Sequence, residues 1–354
     1  MNYCSPDNKN TVSCFSKTQI RNIASTYNKK YPKNKIKIPN NLNDDNLEFF
    51  WKNLRNNINK QLNCTNEQCW LEKNFLENSY SDLFKPKYPD AWKNNKTAWL
   101  STLDINNVLE QYEKNSHYKY IGAVPIDFDT KLSIGFCVVN ELCNLNIKKL
   151  YLSGIRHIGA VFNLDPHDKP GSHWVSLFIN LINGGMYFFD SYGHKPPKQI
   201  AFLMERVRKM GNELLKKKII DISHFDTKHI EKINFDIISN NEIKINKNFI
   251  LESDLPIIID NKNYNIDSII EISDGYVLCL KTNLSLNIKK NELQQYQFNK
   301  FYNNVRFQYL NSECGVYSIY FQVEMLKGKS FESIIENIVD DNLINKQREI
   351  YYNI

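Results

Sequence analysis

The chain has 354 residues, which is enough for one large domain or for two to three small ones. Hydrophobic residues make up 42% and charged residues 24%, which excludes a wholly disordered protein, and only 12 Gly and 11 Pro exclude collagen-like or elastic repeats. The formal net charge of +6 permits an acidic partner without requiring one. No apolar run approaches the length of a membrane span, and no basic-then-apolar signal peptide opens the sequence, so we expect no membrane partner.

The eight cysteines are spread along the chain instead of being clustered in a small scaffold. This distribution predicts reduced thiols in a cytosol-like compartment, not a disulfide framework. Cys64 and Cys69 are close enough to supply half of a zinc site, but no second pair with ligand spacing accompanies them, which favours plain thiols. Asn, Lys and Ile are abundant, and all three have AT-rich codons. We therefore attribute this bias to an AT-rich genome and not to the function of the protein.

Amphipathic patterns predict helices in the N-terminal part of the chain. The first covers residues 16–28, the second begins at Asn43 or Asp44, and a third begins near Leu103. The basic stretch at residues 29–37 is typical of a solvated loop or an edge strand. A nucleic-acid patch is the alternative there, and nothing else in the sequence supports nucleic acid as a partner.

Short apolar runs predict the strands of a sheet further along the chain. They cover residues 120–126, 134–139, 158–163, 174–181 and 186–189. The last two runs flank Asn183-Gly184-Gly185, which is typical of a tight hairpin and predicts an antiparallel pair. Pro196-Pro197 then opens a further helix.

Residues 219–295 differ from the rest of the chain. Short alternating strands separated by turn residues predict a small all-β insertion, with a barrel as one form of it. The sequence returns to helical patterns at residues 315–326 and 331–339.

Cys314 is the most informative single residue. Apolar residues recur at helical spacing after it, so Cys314 lies at, or one residue before, a helix N-terminus. The helix dipole and the free N–H groups there stabilise a thiolate, which is the nucleophilic form of cysteine. The alternative is a small buried cysteine that packs at the start of a helix.

His173 and Asp190 stand at the two outer ends of the predicted hairpin. His173 precedes one strand and Asp190 follows the other, so the topology brings imidazole and carboxylate side by side. His173 would be the general base for Cys314, and Asp190 would fix its tautomer and stabilise its charged form. The alternatives are an ordinary loop histidine and a turn cap near residues 191–193.

Gln308 lies six residues before Cys314, on a segment that enters the same turn. Its side-chain amide can donate to a developing oxyanion, together with the backbone N–H of Cys314. Taken alone, a glutamine at this spacing is weak support for a site.

The four residues and their chain order resemble the SUMO/ubiquitin-like-protein protease and adenoviral protease group. The resemblance is carried by Gly171-Ser172-His173-Trp174, by Tyr187-Phe188-Phe189-Asp190-Ser191 and by residues 308–315. It implies a cysteine protease with His173, Asp190 and Cys314 as the triad and with Gln308 in the oxyanion hole.

The resemblance becomes closer to the polyprotein-processing cysteine proteases of African swine fever virus and giant viruses when the N-terminal half is included. It extends over Ser13-Cys14-Phe15-Ser16-Lys17 and residues 64–69, 99–105, 196–197 and 204–207, and so over most of the chain except 219–295. The swine fever enzyme has Asn at the position of Asp190, where SUMO proteases have Asp. Either residue can orient the histidine.

The resemblance implies an α+β, papain-like fold with a central, mainly antiparallel sheet. Its parts would be a helical N-terminal region (1–95), a protease core in two pieces (96–218 and 296–354) and the β insertion (219–295). Members of the group cleave after Gly-Gly through a tunnel roofed by aromatic residues, in which Trp174 would be part of the clamp and Trp99 would line the other side. From the residues alone, an exposed aromatic beside a catalytic histidine is a substrate platform, and a core position is the alternative.

The implied reaction is acyl transfer through a thioester, with no metal or organic cofactor. The expected substrate is a viral structural or core polyprotein with Gly-Gly-X sites. It would be cut during virion maturation, in the virion and in the host cytoplasm at the virus factory.

Three alternative functions remain: removal of SUMO or another ubiquitin-like partner, acetyl transfer on the same fold, and an inactive binding module. The N-terminal region and the insertion are candidate docking surfaces for substrate, scaffold or nucleic acid, and the sequence leaves these alternatives open.

Overall fold

The computed structural model describes residues 4–353, apart from residues 7, 9, 11, 115, 116, 134, 222–224, 226–231 and 247–250. The chain divides into two compact units. The first unit consists of Met1–Ser116, Leu310–Tyr320 and Val339–Ile354, and the second consists of His117–Tyr309 and Phe321–Ile338.

Helices and strands are mixed along the chain. The helices are α1 (Lys17–Lys30), α2 (Asp44–Leu62), α3 (Gln68–Glu72), α4 (Thr102–Leu109), α5 (Asn140–Cys143), α6 (Ile147–Leu152), α7 (Lys198–Lys216), α8 (Cys314–Leu326), α9 (Phe331–Glu336), α10 (Asp341–Lys346) and α11 (Arg348–Tyr351). The strands are β1 (Tyr118–Pro125), β2 (His157–Asn163), β3 (Trp174–Asn180), β4 (Gly185–Phe189), β5 (Ile233–Ser239), β6 (Glu242–Asn246), β7 (Ile257–Ile259), β8 (Lys262–Tyr264), β9 (Ile266–Ile272), β10 (Gly275–Leu280), β11 (Glu292–Gln295) and β12 (Asn299–Tyr302).

The first unit is helical, and side-chain caps set the starts of its two long helices. Ser16 caps α1, and Gln19 bonds back to it, so that two backbone N–H groups that the helix leaves unpaired are satisfied reciprocally. Asn43 caps α2 in the same way, as predicted. The apolar faces of both helices meet in one core, in which the Trp70 ring is fully buried.

The second unit is built on a five-stranded sheet with the strand order β1-β2-β3-β4-β12. The centre of the sheet, β2-β3-β4, is antiparallel, and each edge strand pairs in parallel with its neighbour. The apolar face of α7 joins the core of this sheet. On α8, Gln322 donates hydrogen bonds to Ser176 Oγ (2.7 Å) and to the carbonyl of Leu177 (2.9 Å), which holds this part of the helix against β3.

The second unit also contains the strands predicted within residues 219–295. They form a sheet with the order β8-β7-β11-β5-β6-β10-β9, and its ladder ends at β8 and β9 in the part of the chain that the structure describes. Its buried residues form a separate core made mainly of Ile and Leu side chains.

The strand predicted at residues 134–139 is wrong for its described part, residues 135–139. Lys131 and Cys137 form an isolated bridge, and Gly135 has a positive φ of 86°, which breaks an extended run. Val138 and Val139 donate to the carbonyls of Thr130 (3.0 Å) and Phe128 (2.9 Å) in a turn that leads into α5. Ile134 lies outside the described residues.

The prediction of eight reduced thiols is also wrong, because six of the cysteines pair. The disulfides join Cys4 to Cys14, Cys64 to Cys69 and Cys137 to Cys143. Each pair closes a short loop of the chain, so a wide spread of cysteines along the sequence does not exclude local bridges. Cys279 and Cys314 are the free cysteines of the described chain.

Within the described ranges, no helix is both long enough and apolar enough to cross a membrane.

Candidate active site

His173 and Asp190 form a buried pair in the second unit. His173 directly precedes β3, Asp190 directly follows β4, and the antiparallel register of these strands places Ser176 opposite Phe189. The Nε2 atom of His173 lies 2.7 Å from Oδ1 of Asp190. The two side chains therefore meet as the hairpin topology predicts.

Asp190 collects further partners from the turn that follows it. The backbone N–H of Tyr192 donates to Oδ1 (2.9 Å), and Nδ1 of the exposed His194 lies 3.2 Å from Oδ2. Burial raises the pKa of Asp190, but the hydrogen bond and charge of His173, the Tyr192 N–H and the charge of His194 outweigh it, and the net pKa is lowered. The carboxylate is thus held in its ionised form, which can stabilise an imidazolium.

Asn303 holds the backbone of Asp190 in place. The N–H of Asp190 donates to Oδ1 of Asn303 (2.9 Å), and Nδ2 of Asn303 donates to the carbonyls of Asp190 (2.7 Å) and Val305 (3.0 Å). Asn303 is fully buried. Sequence reasoning missed it, since asparagine is common throughout this chain and only burial with three hydrogen bonds sets this one apart.

Gln308 is oriented by Ser191, the residue after Asp190. The Ser191 hydroxyl donates to Oε1 of Gln308 (2.7 Å), and the N–H groups of Phe307 and Gln308 donate to the Ser191 carbonyl (2.8 and 2.9 Å). Gln308 is fully buried, and its Nε2 has no hydrogen-bond partner among the residues that the structure describes. Leaving a buried amide N–H without a hydrogen-bond partner costs folding free energy. The Nε2 group of Gln308 is therefore suited to donate a hydrogen bond to an oxygen of a bound ligand.

Cys314 is the first residue of α8, as predicted, and it belongs to the first unit. Its side chain is buried, 3% exposed, and it forms no disulfide. The next residue is Gly315, where a Cβ would lie 3.0 Å from that of Leu100, so glycine permits close packing at this helix start.

Glu313, immediately before Cys314, is anchored by a buried ion pair. Nη2 of Arg348 lies 2.8 Å from Oε2 of Glu313, the Nε of Arg348 donates to the same oxygen at 2.9 Å, and Asn345 donates to Oε1 at 2.9 Å. Both charged side chains are almost fully buried. Their ion pair therefore fixes the backbone directly before Cys314, at the start of α8. The sequence contained no signal that paired them.

The two predicted substrate-binding tryptophans differ in exposure. Trp99, in the first unit, is 50% exposed, whereas Trp174, in the second, is only 6% exposed. The description of Trp174 as an exposed aromatic is wrong, because β3 is the central strand of its sheet and both of its faces are covered.

The residues that the structure describes contain no cluster of three or more His, Cys, Asp or Glu side chains that could hold a metal ion. Cys64 and Cys69, the pair weighed as half of a zinc site, are joined in a disulfide and are not available as thiolate ligands.

We expect the acid stability of the protein to depend on Asp190. Its folded-state pKa is lowered from the ordinary 3.8, so its ionised form stabilises the fold above that value, and this contribution is lost as the pH falls through the folded pKa. Between roughly pH 5 and pH 3, the thermal unfolding midpoint of the wild type should fall further than that of Asp190→Asn, which cannot titrate. Equal falls in the two proteins would contradict the assignment.

Comparisons with known proteins show which families and relatives this chain resembles. The Ulp1 protease family, C-terminal catalytic domain, matches residues 143–242. A protein of Acanthamoeba polyphaga mimivirus named as a thiol protease is 26% identical over 373 aligned positions, which cover 99% of this chain and 93% of the relative. A cysteine protease of African swine fever virus is 36% identical over 52 residues, which cover 14% of this chain and 19% of that protein.

The fold is also similar to a solved structure. The crystal structure of the African swine fever virus protease superimposes with a TM-score of 0.53 at 17% identity, over 99% of this chain and 96% of that one. The α+β fold class is therefore confirmed. Residues 143–242 are thus similar to a Ulp1-like peptidase domain, and both relatives described above are viral proteins. The enzyme class of the chain is cysteine protease.

Proposed function

We propose that this cysteine protease is an endopeptidase that cleaves after Gly-Gly in viral structural or core polyproteins during virion maturation. The observation that carries the proposal is the buried Gln308 amide, which Ser191 orients and whose Nε2 donor is left unsatisfied among the described residues. Such a donor stabilises the oxyanion of acyl transfer. The viral relatives support a role in a virus.

In the proposed reaction, Cys314 is the nucleophile and His173 the base. Because Asp190 holds Nε2 of His173, Nδ1 is the nitrogen that takes the thiol proton. The thiolate attacks the carbonyl carbon of the glycine, and the oxyanion accepts hydrogen bonds from Nε2 of Gln308 and the N–H of Cys314. When the tetrahedral intermediate collapses, the C–N bond breaks, the Nδ1 proton passes to the leaving amine, and the thioester remains.

Water completes the cycle. His173 Nδ1 takes a proton from the water, and the resulting hydroxide attacks the thioester carbonyl. The C–S bond then breaks, and the Cys314 thiolate regains a proton from His173. The peptide leaves as a carboxylic acid, which loses its proton to the amine product or to solvent. Asp190 keeps the imidazole in one tautomer in both half-reactions.

The Gly-Gly preference and the roles of the outer segments belong to the same proposal. Trp99 and Trp174, which follows His173 in the chain, are the residues proposed to bind the substrate and to favour glycine. Residues 1–95 and 219–295 would be docking regions outside the core pieces 96–218 and 296–354. The protein would act in the virion and in the host cytoplasm, at the virus factory.

A second candidate is the removal of ubiquitin-like tags, which is favoured by the match of residues 143–242 to the Ulp1 protease family. It uses the same residues and the same bond, so only the substrate distinguishes it from polyprotein processing. SUMO-linked and ubiquitin-linked fusion proteins are the probes for this activity.

The test is incubation of the protein with the structural precursors of its virion, followed by terminal sequencing of the fragments. New N-termini that directly follow Gly-Gly support the proposal, provided that precursors with Gly-Gly replaced by Ala-Ala stay intact. Cleavage of the SUMO or ubiquitin fusions alone would establish the second candidate. If no precursor or fusion is cleaved, or if the cuts fall elsewhere, the Gly-Gly proposal is wrong.

We expect Ser191→Ala to lower kcat by about tenfold without changing KM, because Gln308 loses the hydrogen bond that aims its amide. Gln308→Ala should lower kcat by about 10²-fold, since it removes the donor itself. Ser153→Ala, which removes an exposed serine hydroxyl from the same unit, is the matched control and should leave kcat unchanged. A drop in KM alone, or an unchanged kcat for Ser191→Ala, would contradict the positioning role.

A further inference from the structure

Residues 305–308 pack closely on the turn after Asp190. Gly193 has a positive φ of 78°, and a Cβ there would lie 2.9 Å from the backbone of Val305, so only glycine allows this approach. Together with the two N–H groups that bond the Ser191 carbonyl, this contact fixes the backbone that carries Arg306.

Arg306 belongs to a stack of rings that begins at the candidate base. The ring of Tyr192 stacks on His173, with 4.6 Å between the centroids. The Arg306 guanidinium carbon lies 5.3 Å from the Tyr192 ring and 4.9 Å from the Tyr309 ring. Its Nε donates to the Gln308 carbonyl at 2.7 Å, so the guanidinium is held in one orientation between two aromatic rings.

The charge of Arg306 is not neutralised by the described part of the chain. No carboxylate there forms an ion pair with Arg306, whereas Arg208 and Arg348 both pair with glutamates. Asp190, the acid of the adjoining turn, is buried and shared between His173 and His194. Arg306 is exposed, so its Nη1 and Nη2 groups can bind a ligand from solvent.

We propose that Arg306 is a specificity residue that binds an Asp or Glu side chain of the substrate close to the scissile bond. A planar guanidinium held by its Nε and by two rings presents its other N–H groups to a carboxylate with little loss of side-chain entropy. Its position in a stack with His173 places the bound carboxylate beside the reacting peptide. This inference rests on the proposed function, since the polypeptide cleaved there is its ligand.

The test uses matched peptides that keep Gly-Gly directly before the scissile bond and carry Glu or Gln, in turn, at the two positions before Gly-Gly and at the three positions after the bond. We expect the wild type to prefer Glu at one position by about fivefold in kcat/KM, mainly through KM, and less at high salt. Arg306→Gln should reduce the ratio to one, and Arg306→Glu should reverse it in favour of a Lys peptide. Lys209→Gln, which removes an exposed cation from α7, should keep the wild-type ratio.

Binding measured separately distinguishes failure of this inference from failure of the proposed function. Fluorescence anisotropy of labelled Glu and Gln peptides on Cys314→Ala reports recognition without cleavage. If the wild type cuts neither peptide, the Gly-Gly proposal fails, and the anisotropy ratio still decides the role of Arg306. Equal binding, no binding, or a Glu preference that Arg306→Gln retains would overturn the inference.

Discussion

Replacing Cys314 by Ala should lower peptide cleavage by about 10⁴-fold or more, because the reaction loses its nucleophile. The substitution removes one buried sulfur atom at the start of α8, where alanine is well tolerated, so the fold should persist. Initial rates on a Gly-Gly peptide, measured beside the thermal unfolding midpoint, separate loss of chemistry from loss of structure.

Cys279 is the matched control, because it is the other free cysteine of the described chain. It lies in β10, within the sheet formed by residues 233–295, and Cys279→Ala should cleave at the wild-type rate. A thiol-reactive peptide ending in Gly-Gly should label the wild type and Cys279→Ala but not Cys314→Ala. Retained cleavage by Cys314→Ala would exclude the proposed mechanism.

Replacing Arg348 by Met should lower the free energy of unfolding by about 3–5 kcal/mol, since it leaves the carboxylate of Glu313 buried without its partner. The variant also loses the hydrogen bond from Arg348 to the Ala98 carbonyl and the guanidinium contact with the Trp92 ring. Chemical denaturation followed by tryptophan fluorescence measures the change.

Two further variants make this prediction specific. Arg348→Met combined with Glu313→Leu should be more stable than Arg348→Met alone, because no unpaired charge then remains buried. Lys93→Met breaks an exposed ion pair with Asp90 and should have little effect. If Arg348→Met unfolds at the wild-type denaturant concentration, the buried pair is not a major source of stability.

Much of the local structure follows from short-range rules. Ser16 and Asn43 begin helices because their side chains accept hydrogen bonds from backbone N–H groups three residues further along the chain. Such a cap can be predicted from a short stretch of sequence. A hairpin turn and alternating apolar strands likewise predict that His173 and Asp190 meet. The errors had two different causes. Residues 135–139 are apolar but form a turn, and the wide spread of the cysteines along the chain concealed three pairs that each close a short loop.

The sequence by itself predicted the type of chemistry. Periodicity and turns place Cys314 at a helix start and His173 beside Asp190, and the chain order of these residues with Gln308 resembles that of the ubiquitin-like-protein proteases. Only the tertiary structure decided what holds those groups in place. The bond from Ser191 to Gln308 and the bonds from Asn303 to Asp190 join residues separated by 117 and 113 positions. Such contacts depend on burial and on the packing of distant segments, which no local pattern encodes.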